Sequence, residues 1–285
     1  MTVRILTDST CDLPAEIVAG LGVRVLPLYI HLGNRDYLDG IDLTREEFYE
    51  NLPTYTQHPT TAVPSGLKFQ AMYDSLADEG ATEVLSIHIS ETLSATVNVA
   101  RSAAAETTSV PVTVLDSRQL SLGTGFLVHT AAEMARAGRT VGEMLPVLED
   151  QIKRTHVWAA LDTLKFLRRS GRMNRVVSSI GELLQIKPIL KMYDGVSAAE
   201  RVRTKRNAIS RLVEKVYDYN PFEKIAFLYS GVREQAEALQ EEVRDLLPDG
   251  ETWLEVINPV LGAHIGPGVV GFAGVSKGSQ PIHFS

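Results

Sequence analysis

The chain has 285 residues, 44% of them apolar, 22% charged and 7% aromatic, a composition that is ordinary for a globular protein and gives no sign of disorder. A net charge of −7 argues against general nucleic-acid binding, and no uninterrupted apolar stretch reaches the length that would span a membrane. The single cysteine, Cys11, excludes an internal disulfide framework; together with a strand-like start and no charged-then-apolar leader, it leads to the expectation of a cytoplasmic address.

Along the chain, Val3 to Leu6 reads as a strand that breaks into the hydroxyl-rich Thr7-Asp8-Ser9-Thr10. A helix is expected from Leu13 to Leu21, with Pro14 in its first turn and Gly22 past its end. Val23 to Leu32 reads as one strand, and Asp39-Gly40 as the tight turn of a hairpin. Thr44 and Glu47 have the spacing of a capping box. Thr60 to Ser65 opens a helix near Gly66 without a clear strand before it, and Thr61 or Ser65 could cap that helix. Val84 to Ile89 then runs into Ser90-Glu91-Thr92-Leu93-Ser94-Ala95-Thr96, and Val112 to Leu115 into Asp116-Ser117, with Ser121 and Gly123 close behind. From residue 66 to about 140 this alternation calls for a parallel sheet with helices on both faces. Strand-to-helix loops of such a sheet meet at its carboxyl edge, where hydroxyls and unpaired helix amides make a receptor for an anion.

The pattern changes near residue 150. Val157 to Leu161 is strand-like, Lys165 to Arg175 is basic, and Leu183 to Met192 leads to a second Asp-Gly turn at Asp194-Gly195. Ile225 to Tyr229 and Trp253 to Ile257 frame a charged helix, Glu234 to Leu247, before a Gly-broken strand over Gly266 to Val275. The expected fold class is α/β with two domains. Residues 1–153 would form a Rossmann-like parallel sheet with helices on both faces, and residues 154–285 an α/β domain with a mixed or antiparallel sheet. Between Lys153 and Arg211 stand 14 Lys and Arg against 4 Asp and Glu, a local balance of +10, so the remainder carries −17. Such a patch suits an acidic partner or a phosphate; its alternative is a set of solvated faces on unrelated helices.

Motifs for catalysis are missing from the sequence. There is no Gly-x-Ser-x-Gly elbow, no His-x-x-x-His or Cys/His cluster, and no phosphate loop. Asp36, Asp39 and Asp42 lack calcium-loop spacing and read as turn chemistry. Gly123-Thr124-Gly125 is only a fragment of a dinucleotide fingerprint. No catalytic residue, metal or cofactor is therefore assigned. Ser94-Ala95-Thr96 sits between a buried-looking strand and a starting helix, where Ser94 or Thr92 can cap the helix or help to hold an anion. His264, between Gly262 and Gly266-Pro267-Gly268, is expected on irregular backbone with few covering side chains, as a site residue.

Taken in order, these segments carry a resemblance. Thr7-Asp8-Ser9-Thr10-Cys11-Asp12-Leu13 resembles the opening signature of the DegV family, bacterial fatty-acid-binding proteins. The family pattern recurs at Thr61-Ala62-Val63-Pro64-Ser65, at Ile89 to Thr96, and at Asp116-Ser117 with Ser121, Gly123 and Gly125. It continues through Leu161-Asp162-Thr163-Leu164, Gly171-Arg172-Met173, Ile186-Lys187-Pro188-Ile189-Leu190, Arg201 to Lys205 and His264 to Gly268.

The resemblance implies an acyl chain enclosed between two domains. Thr61 and Ser94 would bond its carboxylate, helped by backbone amides around Ser94 and Ala95, with His264 nearby and Ser9, Thr92 and Ser121 in a secondary head-group region. It further implies that the protein is not itself an enzyme but presents a long-chain fatty acid to a separate fatty acid kinase for phospholipid synthesis. Arg172, Arg203 and Lys205 match the partner surface, and membrane contact would be transient at most. Two departures stand out: Ala95 where the family usually has Gly, which would crowd the carboxylate, and Ala62 where it often has Ser. The alternatives are an enzyme acting on a small phosphorylated or carboxylated substrate, with His264 as acid/base and Arg172 as anion clamp, and an interaction module whose cavity is merely structural.

Overall fold

A computed structural model describes residues 2–173, 187–250 and 252–278. The expected Arg175 end of the basic stretch and the Leu183–Ile186 part of the apolar run lie outside the described residues.

Strands β1 (Val3–Asp8), β2 (Arg24–Leu26), β6 (Glu83–His88) and β7 (Val112–Asp116) form a four-stranded parallel sheet in the order β2-β1-β6-β7. Side-chain alternation divides its two faces. Leu6 and Val84 pack with Phe69, Tyr73 and Leu76 of α3 (Gly66–Asp78) and with Ala100 and Ala103 of α4 (Thr96–Glu106). Ile5, Leu85 and Ile87 face the other way, against Leu122, Phe126 and Leu127 of α5 (Leu122–Arg136) and Met144 and Leu148 of α6 (Val141–Ile152). The first helix, α1 (Ala15–Gly20), begins after Pro14.

The expected strand over Val23 to Leu32 is divided at Pro27, which has no N–H to give a ladder. Its first part stays in the parallel sheet as β2. Its second part, β3 (Tyr29–Leu32), enters a separate antiparallel sheet, flanked by β4 (Arg35–Leu38) and β5 (Thr60–Ala62). The β3–β4 hairpin turns at Gly33-Asn34, with Gly33 at φ +62°, rather than at Asp39-Gly40. Asp39-Gly40 instead leads the chain out of β4: the Asp39 amide donates to Leu28 O, and the Gly40 amide to Leu43 O. The Thr44–Glu47 capping box forms at the start of α2 (Arg45–Asn51).

Six strands make the second large sheet, in the order β10-β9-β8-β13-β11-β12: β8 (Thr155–Ala160), β9 (Lys187–Tyr193), β10 (Val196–Val202), β11 (Phe222–Tyr229), β12 (Trp253–Val256) and β13 (Val270–Ser276). The sheet is mixed, with β11 and β12 parallel and the other described pairs antiparallel. Asp194-Gly195 is the turn of the β9–β10 hairpin, both residues at positive φ as a tight two-residue loop demands. A short α7 (Lys165–Arg169) follows β8. One face of the sheet packs Trp158, Ile189, Phe227 and Phe272 against α8 (Lys205–Tyr219) and α9 (Arg233–Glu242). The other face brings Val157, Met192, Ala273 and Val275 into the same buried cluster as Ile5 and Leu85 of the parallel sheet, so the two sheets share a core. A last helix, α10 (Pro259–Ile265), packs on α2 and α7.

Candidate ligand-binding site

Loops after β1, β6 and β7 converge with β5 and α10 around a cavity of 240 Å³. Ile89, Leu93 and Leu120 come from the loops, Val157, Ala159, Leu190 and Met192 from the mixed sheet, and Val260, Leu261 and Ile265 from α10. Thr10, Thr61, Ser94, Ser121, Arg172 and His264 also reach it. Among the described residues no Asp or Glu lines this space. The result is an aliphatic pocket with hydroxyls and a histidine, and with Arg172 and Lys191 as the charged residues of its lining.

Thr61 and His264 are 203 positions apart in sequence, yet Thr61 Oγ1 lies 3.0 Å from His264 Nε2. Pairing of β5 with β3 fixes Thr61 opposite Ile30. His264 belongs to the last turn of α10, not to irregular backbone as its flanking glycines suggested. Asn258 caps this helix by accepting from the Leu261 amide, and Pro259 fills the first turn, where its missing N–H is harmless. Burial, then the charge of Arg172 and the nearby His58, pushes the His264 pKa down to about 4. The imidazole is therefore neutral at ordinary pH. Its Nδ1 is buried and meets no partner among the described residues. When Nε2 carries the ring proton and donates to Thr61, the Thr61 hydroxyl keeps its own proton for a ligand.

Ser94 stands at the mouth of α4, with its Oγ 2.8 Å from Thr96 Oγ1 and accepting from the Thr96 amide at 3.3 Å. Ala95 occupies the N-cap position at φ −77°, ψ 0°, and its side chain cannot cap the helix. Among the described residues the Ala95 and Val97 amides meet no acceptor, as the start of a helix dictates. The backbone at Ala95 is right-handed and open to any L-residue, so this position does not demand glycine on conformational grounds. Ala95 and Ala62 both line the cavity.

Not every expected residue arrives there. The Ser9 hydroxyl accepts from the Leu28 amide at 3.2 Å, and it is Thr10, its neighbour, that faces the cavity. Thr92 donates to Gly195 O at 3.0 Å and so fastens the β9–β10 hairpin instead of lining the pocket. Ser121 does line it, but its hydroxyl proton goes to Asp12 Oδ2 at 2.5 Å, leaving only lone pairs for a ligand. Arg172 lines the cavity, whereas Arg203 and Lys205 are exposed at the start of α8, outside it.

Sequence reasoning also missed a buried relay behind the wall. His88 Nδ1 is 2.9 Å from Asp8 Oδ2, and its Nε2 is 2.7 Å from Ser86 Oγ, which meets Tyr73 Oη at 3.1 Å. Burial would raise the Asp8 pKa, but His88, Thr10 and the Ile89 amide together hold it below the usual carboxylate range. Ser86, His88 and Asp8 have no exposed surface, so this Ser-His-Asp arrangement meets no substrate in this conformation. Asp8 instead accepts from Thr10 and Ile89, two residues of the cavity wall. Elsewhere, among the described residues no group of three or more His, Cys, Asp or Glu is placed to hold a metal ion, and no helix is long and apolar enough to cross a membrane.

Fold and site together define an α/β protein that encloses an aliphatic cavity with hydroxyls and a neutral histidine in its lining. The chain matches the model of an uncharacterised protein family, the DegV family, over residues 2–277, and it belongs to that family. A DegV domain-containing protein of Deinococcus radiodurans is 38% identical over 282 residues, covering 96% of this chain and 98% of its own. Among solved structures, a fatty-acid-binding DegV family protein from Thermus thermophilus superposes with a TM-score of 0.88 at 35% identity, covering 97% of this chain and 100% of that one. DegV of Bacillus subtilis, a fatty acid binding protein, has the same TM-score of 0.88 at 29% identity, with coverage of 97% and 100%.

Proposed function

We propose that this protein is a carrier, not an enzyme, that binds a long-chain fatty acid in the cavity and presents its carboxylate to a separate fatty acid kinase in the cytoplasm. The observation that carries the reading is the joining of an aliphatic pocket to a neutral hydrogen-bonding end at Thr61, Ser94, the Ala95 amide and His264. About fourteen methylenes buried at roughly 0.8 kcal/mol each contribute on the order of 11 kcal/mol gross, enough for tight retention after ordering costs. Hydroxyls and helix amides can hold a carboxylate without an ion pair. The fatty acid binding of the Thermus and Bacillus relatives supports the same ligand class.

On this reading the ligand lies between two domains, residues 1–153 and 154–285. Arg203 and Lys205, exposed at the start of α8, offer cations to an acidic partner. Arg172 would meet the same partner from the cavity side. A neutral His264 that hydrogen-bonds a hydroxyl, with no carboxylate on its Nδ1 among the described residues, suits ligand holding better than acid/base work. The test is native mass spectrometry of the purified protein, followed by mass analysis of its organic extract. Near-stoichiometric fatty acid is the expected result. A protein that is empty and also refuses added fatty acid would overturn the proposal.

A further inference from the structure

The backbone is forced into unusual conformations beside the cavity. Among the described residues four that are not glycine have positive φ: Asp12 at 55°, Arg118 at 50°, Ser121 at 51° and Asp194 at 42°. They form two bonded pairs. Arg118 Nη1 donates to Asp194 Oδ1 at 3.0 Å, and Ser121 Oγ to Asp12 Oδ2 at 2.5 Å. Such strain persists only where surrounding contacts over-determine it, and it collects at functional sites.

Asp12 is the better connected of these residues. It ends the turn after β1 and is fully buried. Its Oδ2 accepts from Ser121, the residue that starts α5. Its Oδ1 accepts from both the amide and the Nδ2 of Asn258, at 3.0 and 2.9 Å, and Asn258 is the cap of α10. Arg45 Nη2 lies 3.4 Å from the same Oδ1, while Arg45 Nη1 donates to Val256 O at 2.5 Å. Burial pushes the Asp12 carboxyl up from its ordinary pKa, and Arg45, Ser121 and Asn258 pull against that rise. Close packing locks the same junction: a Cβ on Gly125 of α5 would come within 2.5 Å of the Cys11 carbonyl oxygen.

Helix α10 has seven residues, too few to hold its own position, and it carries His264, Val260, Leu261 and Ile265 into the cavity. Its place therefore comes from contacts at its ends and sides. We infer that Asp12 is a positioning residue of the ligand site: by gripping the caps of α5 and α10 with one carboxylate, it sets His264 against Thr61. It touches no ligand itself. The inference deepens the fatty-acid reading and rests on it for the effect on affinity, but not for the placement of His264.

The test uses Asp12→Ala and Asp12→Asn in the full chain. Asparagine tolerates the left-handed backbone, its oxygen can still accept from Asn258, and its amide can donate to a rotated Ser121 hydroxyl. Imidazole nitrogen signals of His264 are read first, in protein stripped of lipid. Asp12→Ala is expected to shift them and Asp12→Asn to restore them. Fatty-acid affinity is read second, with oleate. It should fall about tenfold or more in Asp12→Ala, the size of one misplaced charge-assisted hydrogen bond, and recover in Asp12→Asn. Parental His264 signals in a folded Asp12→Ala protein would overturn the inference. Should Asp12→Ala not fold, Asp12→Gly removes the same carboxylate while easing the left-handed backbone, and parental His264 signals there would overturn the inference equally. A parent protein that binds no oleate would defeat the carrier reading, while the His264 signals still decide the positioning role.

Discussion

His264→Gln separates a neutral hydrogen-bonding histidine from a charged anion clamp. Burial, Arg172 and His58 lower the His264 pKa from 6.5 to about 4, so the folded protein excludes a proton that the unfolded chain accepts. The sign follows from linkage: between these values the unfolded state binds more protons, so stability falls as pH drops below 6.5 and the loss is complete below about 4. A depression of about 2.5 units corresponds to about 3 kcal/mol in full, of which about 2 kcal/mol is already lost at about pH 5 and almost none at about pH 7.5. Glutamine does not titrate and can still hydrogen-bond Thr61. In ligand-free protein, urea unfolding at those two pH values should show the stability of the variant relative to the parent improving by about 2 kcal/mol on acidification. Ligand affinity in the variant should stay within about tenfold of the parent, since one neutral polar group replaces another. A stability gap that does not change with pH, or a His264 ring that titrates near its ordinary value, would refute the reasoning.

Three further substitutions probe the site and its support. Thr61→Val keeps the side-chain shape but removes the hydroxyl that meets His264 Nε2, and loss of a hydrogen bond to a charged carboxylate should weaken fatty-acid binding by about 10- to 150-fold in a displacement assay. Asp39 is buried, and burial, only partly offset by a hydrogen bond from Ser9 and by the charge of Arg45, pushes its pKa up to about 7. The folded state thus holds a proton that the unfolded chain releases near 3.8, and stability is lost as pH rises through that window. Asp39→Asn should accordingly gain on the parent by about 2 to 3 kcal/mol between about pH 5 and about pH 8.5 in urea titrations; parallel curves would count against the assignment. At Gly262 a Cβ would stand 2.6 Å from Tyr49 Oη and 2.8 Å from the Phe48 ring, so Gly262→Ala should force α10 off α2, lower the melting temperature and weaken ligand binding together. Unchanged melting would mean that the two helices part without penalty.

What the sequence disclosed is what depends on near neighbours. The Thr44–Glu47 box and the Asp194-Gly195 turn are settled within a few residues and appear where expected. The parallel sheet was readable because each strand, loop and helix follows in order along β1, β6 and β7. Partner choice was not readable. Nothing near Thr92 announces Gly195, 103 positions on, and nothing near Tyr29 announces Ala62 across the sheet. The Ser9–Thr10 choice is of another kind: both hydroxyls sit in one tight turn, and the fold of that turn decides which lines the cavity. The helix under His264 did leave a signal, since Asn258-Pro259 is a cap followed by a first-turn proline, but the glycines around the histidine drew attention to irregular backbone instead.

Placement of charge explains why the site looks so unlike a catalytic one. The end of β1 and the turn after it carry Asp8 and Asp12 close to the cavity, yet neither lines it. Each acid faces away and consumes the donors around it: Asp8 takes the Thr10 hydroxyl and amide and the Ile89 amide, and Asp12 takes Ser121 and Asn258. A carboxylate exposed to an incoming anion would repel it in a low-dielectric pocket. Held one layer back, the same carboxylates order the wall without opposing the ligand. The hydroxyl protons of Thr10 and Ser121 are thereby committed, while the hydroxyls of Thr61 and Ser94 and the amides opening α4 remain to donate, beside Arg172. A carboxylate should then settle at the α4 and α10 side of the cavity, away from the pair of acids that shaped it.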